Sequence, residues 1–133
     1  MKSELIKYFQ DRPEIIAVYL FGSYARGRER LKSDVDLGIL LDHGSITRAG
    51  EISRAYNIEL SRVLRKDLHI LVMNNAGEEI ISQIFKYGTC VLNRKPDELS
   101  RFKMVKYAMI AEFSHYRNLM EQAFLNRLSG DSR

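Results

Sequence analysis

The chain has 133 residues, 45% of them hydrophobic and 29% charged, a balance that supports one globular domain with a core and excludes a disordered or low-complexity protein. Its longest apolar runs, such as Ile15–Phe21, fall far short of the ~20 residues a membrane-spanning helix needs, and the charged start MKSELIKYFQDRPE has no signal-peptide core, so the chain reads as cytoplasmic with no membrane partner. The single cysteine, Cys90, rules out a disulfide framework, and the net charge of +4 is dispersed rather than gathered into one basic block, so it singles out no nucleic-acid partner.

Residues 2–11 are predicted to form a short amphipathic helix with Leu5, Ile6 and Phe9 on its apolar side. Pro13 ends it. Ile15–Phe21 is β-branched and aromatic without alternation, as a buried strand is. Gly22 breaks that strand, and Ser23–Arg28 is predicted as a turn of helix. The run 34–41, DVDLGILL, is the second strand. Asp34, Asp36, Gly38 and Leu40 share one face; Val35, Leu37, Ile39 and Leu41 share the other, which faces the core. A loop through His43, read as a surface residue, leads to a helix over 46–64. Its apolar positions are Ile52, Tyr56, Leu60 and Val63, with Ser45 or Thr47 as cap.

The third strand is Asp67–Met73, with Asp67 and His69 on one face and Leu68, Ile70 and Val72 on the other. A helix over 78–87 follows and closes at Gly88, placed as a left-handed cap. Thr89–Leu92 is a short strand whose apolar wording marks Cys90 as a buried structural thiol. From Asp97 to Leu128 there is neither proline nor glycine. Phe102, Val105, Met109, Phe113, Tyr116, Met120 and Phe124 recur near heptad spacing. One helix of that length overhangs a domain whose radius of gyration is about 14 Å. Either it breaks, or another chain covers its apolar stripe.

The stretch Gly22–Asp36, GSYARGRERLKSDVD, carries the chemistry. Two carboxylates in a D-V-D alternation point the same way, about 7 Å apart along a strand, and repel each other unless a cation lies between them. Mg²⁺ is commonly held by one or two carboxylates together with substrate phosphates. A Gly-Ser turn after a strand offers backbone N–H groups and close approach to a phosphate. Arg26, Arg28 and Lys32 either add positive charge beside it or are solvated surface side chains. No P-loop G-x-x-x-x-G-K-[ST] pattern is present.

The Gly-Ser pair set ten residues before a D-x-D resembles the nucleotidyltransferases of the DNA polymerase β superfamily, and the GSYARG wording and short chain resemble their minimal members, the MNT proteins. The resemblance covers residues 1–95 and extends more weakly into the tail. It implies an α/β (α+β) nucleotidyltransferase core over 1–95, a small mixed sheet with helices packed on it, and a long C-terminal helix over 96–133 that binds a partner. It implies Mg²⁺ on Asp34 and Asp36, with ATP as substrate held by Gly22, Ser23, Arg26 and Lys32.

The superfamily also places a third carboxylate on the third strand. That position is filled here by Asp67, replaced by His69, or left without an acid. Many MNT proteins are antitoxins of HEPN-domain ribonuclease toxins, which implies transfer of AMP from ATP to a tyrosine hydroxyl of such a toxin. The alternative is a catalytically weak or inactive module that neutralises the toxin by contact alone. A transferase acting on RNA ends rests only on the positive charge and ranks last. The C-terminal helix is the expected contact, with the toxin or with a second copy of the chain.

Overall fold

The computed structural model describes residues 1–22 and 34–131. A four-stranded sheet lies between two pairs of helices. Strand β1 (Ile15–Phe21) is central and pairs antiparallel with β2 (Val35–Leu41) on one side and with β4 (Thr89–Asn93) on the other. Strand β3 (Leu68–Val72) lies beyond β2 and runs parallel to it, giving the order β3-β2-β1-β4. The sheet is therefore mixed. The parallel pair is joined by the crossover helix α2 (Ala49–Leu64), as a parallel connection requires.

Both faces of β1 and β2 are covered, which is why these strands read as continuous apolar runs. Val18, Leu20, Leu37, Ile39 and Leu41 pack against Leu5 and Phe9 of helix α1 (Lys2–Phe9) and Tyr56 and Leu60 of α2. On the opposite face, Tyr19 and Leu40 meet Ile81 and Ile84 of α3 (Glu78–Tyr87) and Leu99 of α4 (Pro96–Asp131). Full burial of each such aliphatic or aromatic side chain contributes about 1.5–3 kcal/mol. The first turns of α4 thus belong to the core.

Polar side chains tie α1 to α2. The Tyr8 hydroxyl donates to Glu59 and the Tyr56 hydroxyl to Glu14. The Arg12 guanidinium lies 4.0 Å from the Tyr8 ring centre and 3.3 Å from Glu59. Burial, reinforced by these carboxylate acceptors, raises both phenol pKa values, so the hydroxyls remain donors.

Several local expectations are corrected. Ile6 and Val63 are exposed, because α1 and α2 each turn only a narrow stripe inward. The chain enters α2 through a short 3₁₀ segment (His43–Arg48), and neither Ser45 nor Thr47 caps the helix. Gly88 is extended at φ −78°, while the left-handed helix end is taken by Arg65 at φ 54° after α2. Cys90 is exposed because β4 is an edge strand. Residues 96–131 form one unbroken helix of 36 residues, about 54 Å long. Among the described residues no helix is long and apolar enough to cross a membrane.

Candidate functional site

The site gathers where β1 ends and β2 begins. Antiparallel pairing sets Phe21 opposite Asp36, and parallel pairing sets His69 opposite Asp36 from the other side. Asp36 therefore sits in the second of four strands with a neighbour on each flank. Asp34 lies one same-face step earlier, just before β2. The imidazole of His69 faces both carboxylates, with Nε2 3.3 Å from Asp34 Oδ2 and Nδ1 3.6 Å from Asp36 Oδ1.

Gly22 closes the site from the β1 side. Its φ of +74° is in the left-handed region that glycine adopts at little cost. A Cβ there would collide with Asp36 Oδ2, so the glycine leaves room for that carboxylate. The sequence pattern marks Gly22 as a position that tolerates no Cβ or lets a phosphate approach closely. Its second role, beneath Asp36, follows from the Phe21–Asp36 pairing.

Electrostatics single out Asp36. Partial burial pushes its carboxyl pKa up; His69 pulls it down and Asp34 pushes it up further. Asp36 is thus a half-buried carboxylate held against a like charge, an arrangement relieved by a cation.

Of the residues expected from the sequence, Gly22, Asp34, Asp36 and His69 are brought together. Asp67 joins them through its backbone: its carbonyl accepts the Val35 N–H at 3.0 Å. Its side chain is exposed and has no hydrogen bond or ion pair to any described residue. Ser23, Arg26 and Lys32 lie outside the described residues. Among the described residues no three acidic, histidine or cysteine side chains are set around a ready-made ion position. Asp34 and Asp36, two mutually repelling carboxylates, could hold a divalent cation together with substrate phosphates, and the missing Cβ of Gly22 keeps the space beside Asp36 open.

A family model for the polymerase beta nucleotidyltransferases matches residues 3–97. The chain belongs to that family. Within the family, it is 24% identical over 99 residues to the protein adenylyltransferase MntA of Shewanella oneidensis, a match spanning 73% of this chain and 68% of that one. Among solved structures, a toxin–antitoxin crystal structure with AMP-PNP superposes at a TM-score of 0.69, with 20% identity, over 93% of this chain and 98% of its own. A complex of the tri-AMPylated Shewanella oneidensis HEPN toxin with its MNT antitoxin superposes at a TM-score of 0.62, with 19% identity, over 93% and 95%. These structural likenesses carry the nucleotidyltransferase fold, long C-terminal helix included.

Proposed function

We propose that this nucleotidyltransferase transfers AMP from ATP to a hydroxyl of a HEPN-domain toxin, a tyrosine hydroxyl in the first instance, and so acts as its antitoxin. The observation that carries the reading is the pair Asp34 and Asp36 on one strand face, with Gly22 cut away beneath Asp36. The family match and the likeness to MntA support the direction of the chemistry. In this reading the acceptor oxygen attacks the α-phosphorus of ATP, the α–β phosphoanhydride bond breaks, and pyrophosphate leaves. Asp34 and Asp36 would hold a divalent cation, Mg²⁺ in the first instance, which would supply positive charge against the triphosphate.

The chain's own residues do the positioning, which is most of what such catalysis requires. Asp34 and Asp36 would hold the cation. Gly22 and Ser23 take the phosphates, and Arg26 and Lys32 add charge beside them. In this reading α4, whose outer apolar side chains are exposed, holds the toxin. A second reading, neutralisation by contact alone, is favoured by the exposed Asp67 side chain and by an imidazole where the superfamily has an acid.

The test is incubation of the chain with ATP, Mg²⁺ and the candidate toxin, read by intact-mass spectrometry. The toxin should gain one or more AMP masses, and Asp36→Asn should abolish the gain while the protein stays folded. Toxin silenced at unchanged mass would establish the contact reading instead.

A further inference from the structure

We infer that, in the chain free of toxin, the exposed stripe of α4 is covered by α4 of a second copy, laid antiparallel in a register centred between Ser114 and His115. The inference goes beyond the proposed function and shares one surface with it. The stripe that holds the toxin there is the stripe the copy covers, so the two compete for it.

The spacing of the anchors carries the argument. Val105, Met109, Phe113, Tyr116, Met120 and Phe124 follow one another at steps of 4, 4, 3, 4 and 4 residues. That series reads the same in both directions. Two such helices related by a two-fold axis present the same patch to each other, and every contact occurs twice. Val105 then lies against the partner's Phe124, Met109 against the partner's Met120, and Phe113 against the partner's Tyr116. Every anchor in the series faces another anchor. In the single chain each is between 41% and 71% exposed, so the surface is open to a partner.

The same register fills a groove that the domain leaves open. Beside the first turns of α4 lies a cavity of about 660 Å³, lined by Ile16, Leu40, Ile46, Phe102 and Val105. It is at the end of β2 remote from Asp36, so the triphosphate reading does not use it. With Val105 against the partner's Phe124, the outer turns of the partner helix run along this groove. Phe124 and Leu128, one turn apart and both more than half exposed, are the side chains that reach into it. Charge agrees with the register. Lys106 and Glu121 lie along the same edge of the stripe, and an antiparallel two-fold pair brings like edges together. Lys106 stands two residues from the place facing the partner's Glu121, within reach of an interhelical ion pair, and the symmetry makes two of them.

The experiment is sedimentation equilibrium on the intact chain without toxin, over a range of concentrations. The chain should sediment as a dimer. Met120→Glu changes a side chain 71% exposed, so the domain stays folded, and it should weaken the dimer about tenfold or more by burying an unpaired charge. Lys106→Glu and Glu121→Lys should each weaken it about fivefold, and the two together in one chain should restore it. A monomer at every concentration, or a dimer unchanged in Met120→Glu, would overturn the inference. A double reversal as weak as the single ones would overturn the register. Toxin added in a second arm should split the dimer. Toxin that is bound and modified while the dimer persists would overturn the competition. Toxin neither bound nor modified, beside an intact dimer, would sink the transferase reading and leave the self-association standing.

Discussion

A methyl group at position 22 has nowhere to go. Gly22 combines φ +74° with a Cα set against the Asp36 carboxylate, so Gly22→Ala meets both backbone strain and a collision. The strain alone costs about 1–2 kcal/mol. The collision moves Asp36, and a displacement of about 1 Å in a catalytic group costs on the order of a hundredfold in rate. On the proposed reading, Gly22→Ala should therefore lower AMP transfer by about that factor with only a modest loss of stability, compared by transfer kinetics and urea unfolding on the same preparation. Equal transfer in the variant would mean that Asp36 is free to move without consequence.

Asp36 also predicts a pH dependence. Its folded-state pKa is raised, chiefly by burial, so the folded state holds the proton more tightly than the unfolded chain does. Its contribution to stability is therefore highest below the ordinary carboxylate range and falls as pH rises through that range toward the raised value. Asp36→Asn should flatten that part of the stability–pH curve and leave the protein at least as stable at neutral pH, as urea midpoints across the acid range would show. A steeper curve in the variant would contradict the burial argument. At this scale the sequence disclosed that Asp34 and Asp36 are placed together, because a D-x-D alternation fixes a shared face. It did not disclose that Gly22 and Asp36 touch, since that contact depends on how β1 and β2 are registered.

At the scale of elements, periodicity was the legible signal. The strands β1 and β2 and the helix α3 fall where the apolar patterns place them. Caps and edges were less legible. Gly88 looked like a left-handed cap, yet the helix ends in an extended Gly88 whose N–H bonds to Ile84 O at 2.8 Å. A Cβ there would collide with the same carbonyl, so the glycine is needed for closeness rather than for handedness. Cys90 looked buried because its neighbours are apolar, but only the strand order reveals that β4 is an edge.

Asn74 reads in the sequence as part of a turn, without its partner in β2. Its side-chain amide accepts from the Leu41 N–H at 2.9 Å and donates to the Leu41 carbonyl at 2.8 Å, completing the hydrogen bonding of β2 at its far end. Nothing local in N-N-A-G announces that partner. Asn74→Ala leaves both backbone groups without it and should cost about 1–3 kcal/mol in urea unfolding. On the proposed reading, AMP transfer per folded molecule should be unchanged, because Asn74 caps the end of β2 opposite Asp36. A loss of transfer at full stability would show coupling between the two ends of the strand.

For the whole molecule, α4 is the feature the domain cannot account for by itself. Leu99 and Phe102 pack on the sheet, but Phe113, Tyr116 and Phe124 are each 59% exposed and Met120 is 71% exposed. The stripe also departs from the heptad it resembles. Phe102 and Phe113, Val105 and Tyr116, Met109 and Met120, and Phe113 and Phe124 are each eleven residues apart. An eleven-residue repeat is close to the natural period of a straight helix, so the stripe stays on one side of α4 rather than winding around it. Exposed apolar surface of this extent marks an interaction site, and anchors at helical spacing suit a groove or another helix. On the proposed reading the toxin lies there. Truncation after Met109 retains Leu99 and Phe102 and removes the exposed anchors, together with Ile110, which packs only at the margin of the core. The shortened chain should keep a cooperative unfolding transition and its ability to bind ATP. It should fail to co-purify with the toxin and lose AMP transfer to it. Full recovery of toxin by the shortened chain would place the interface elsewhere on the domain. Loss of cooperative unfolding would instead show that the outer turns of α4 stabilise the core they extend from.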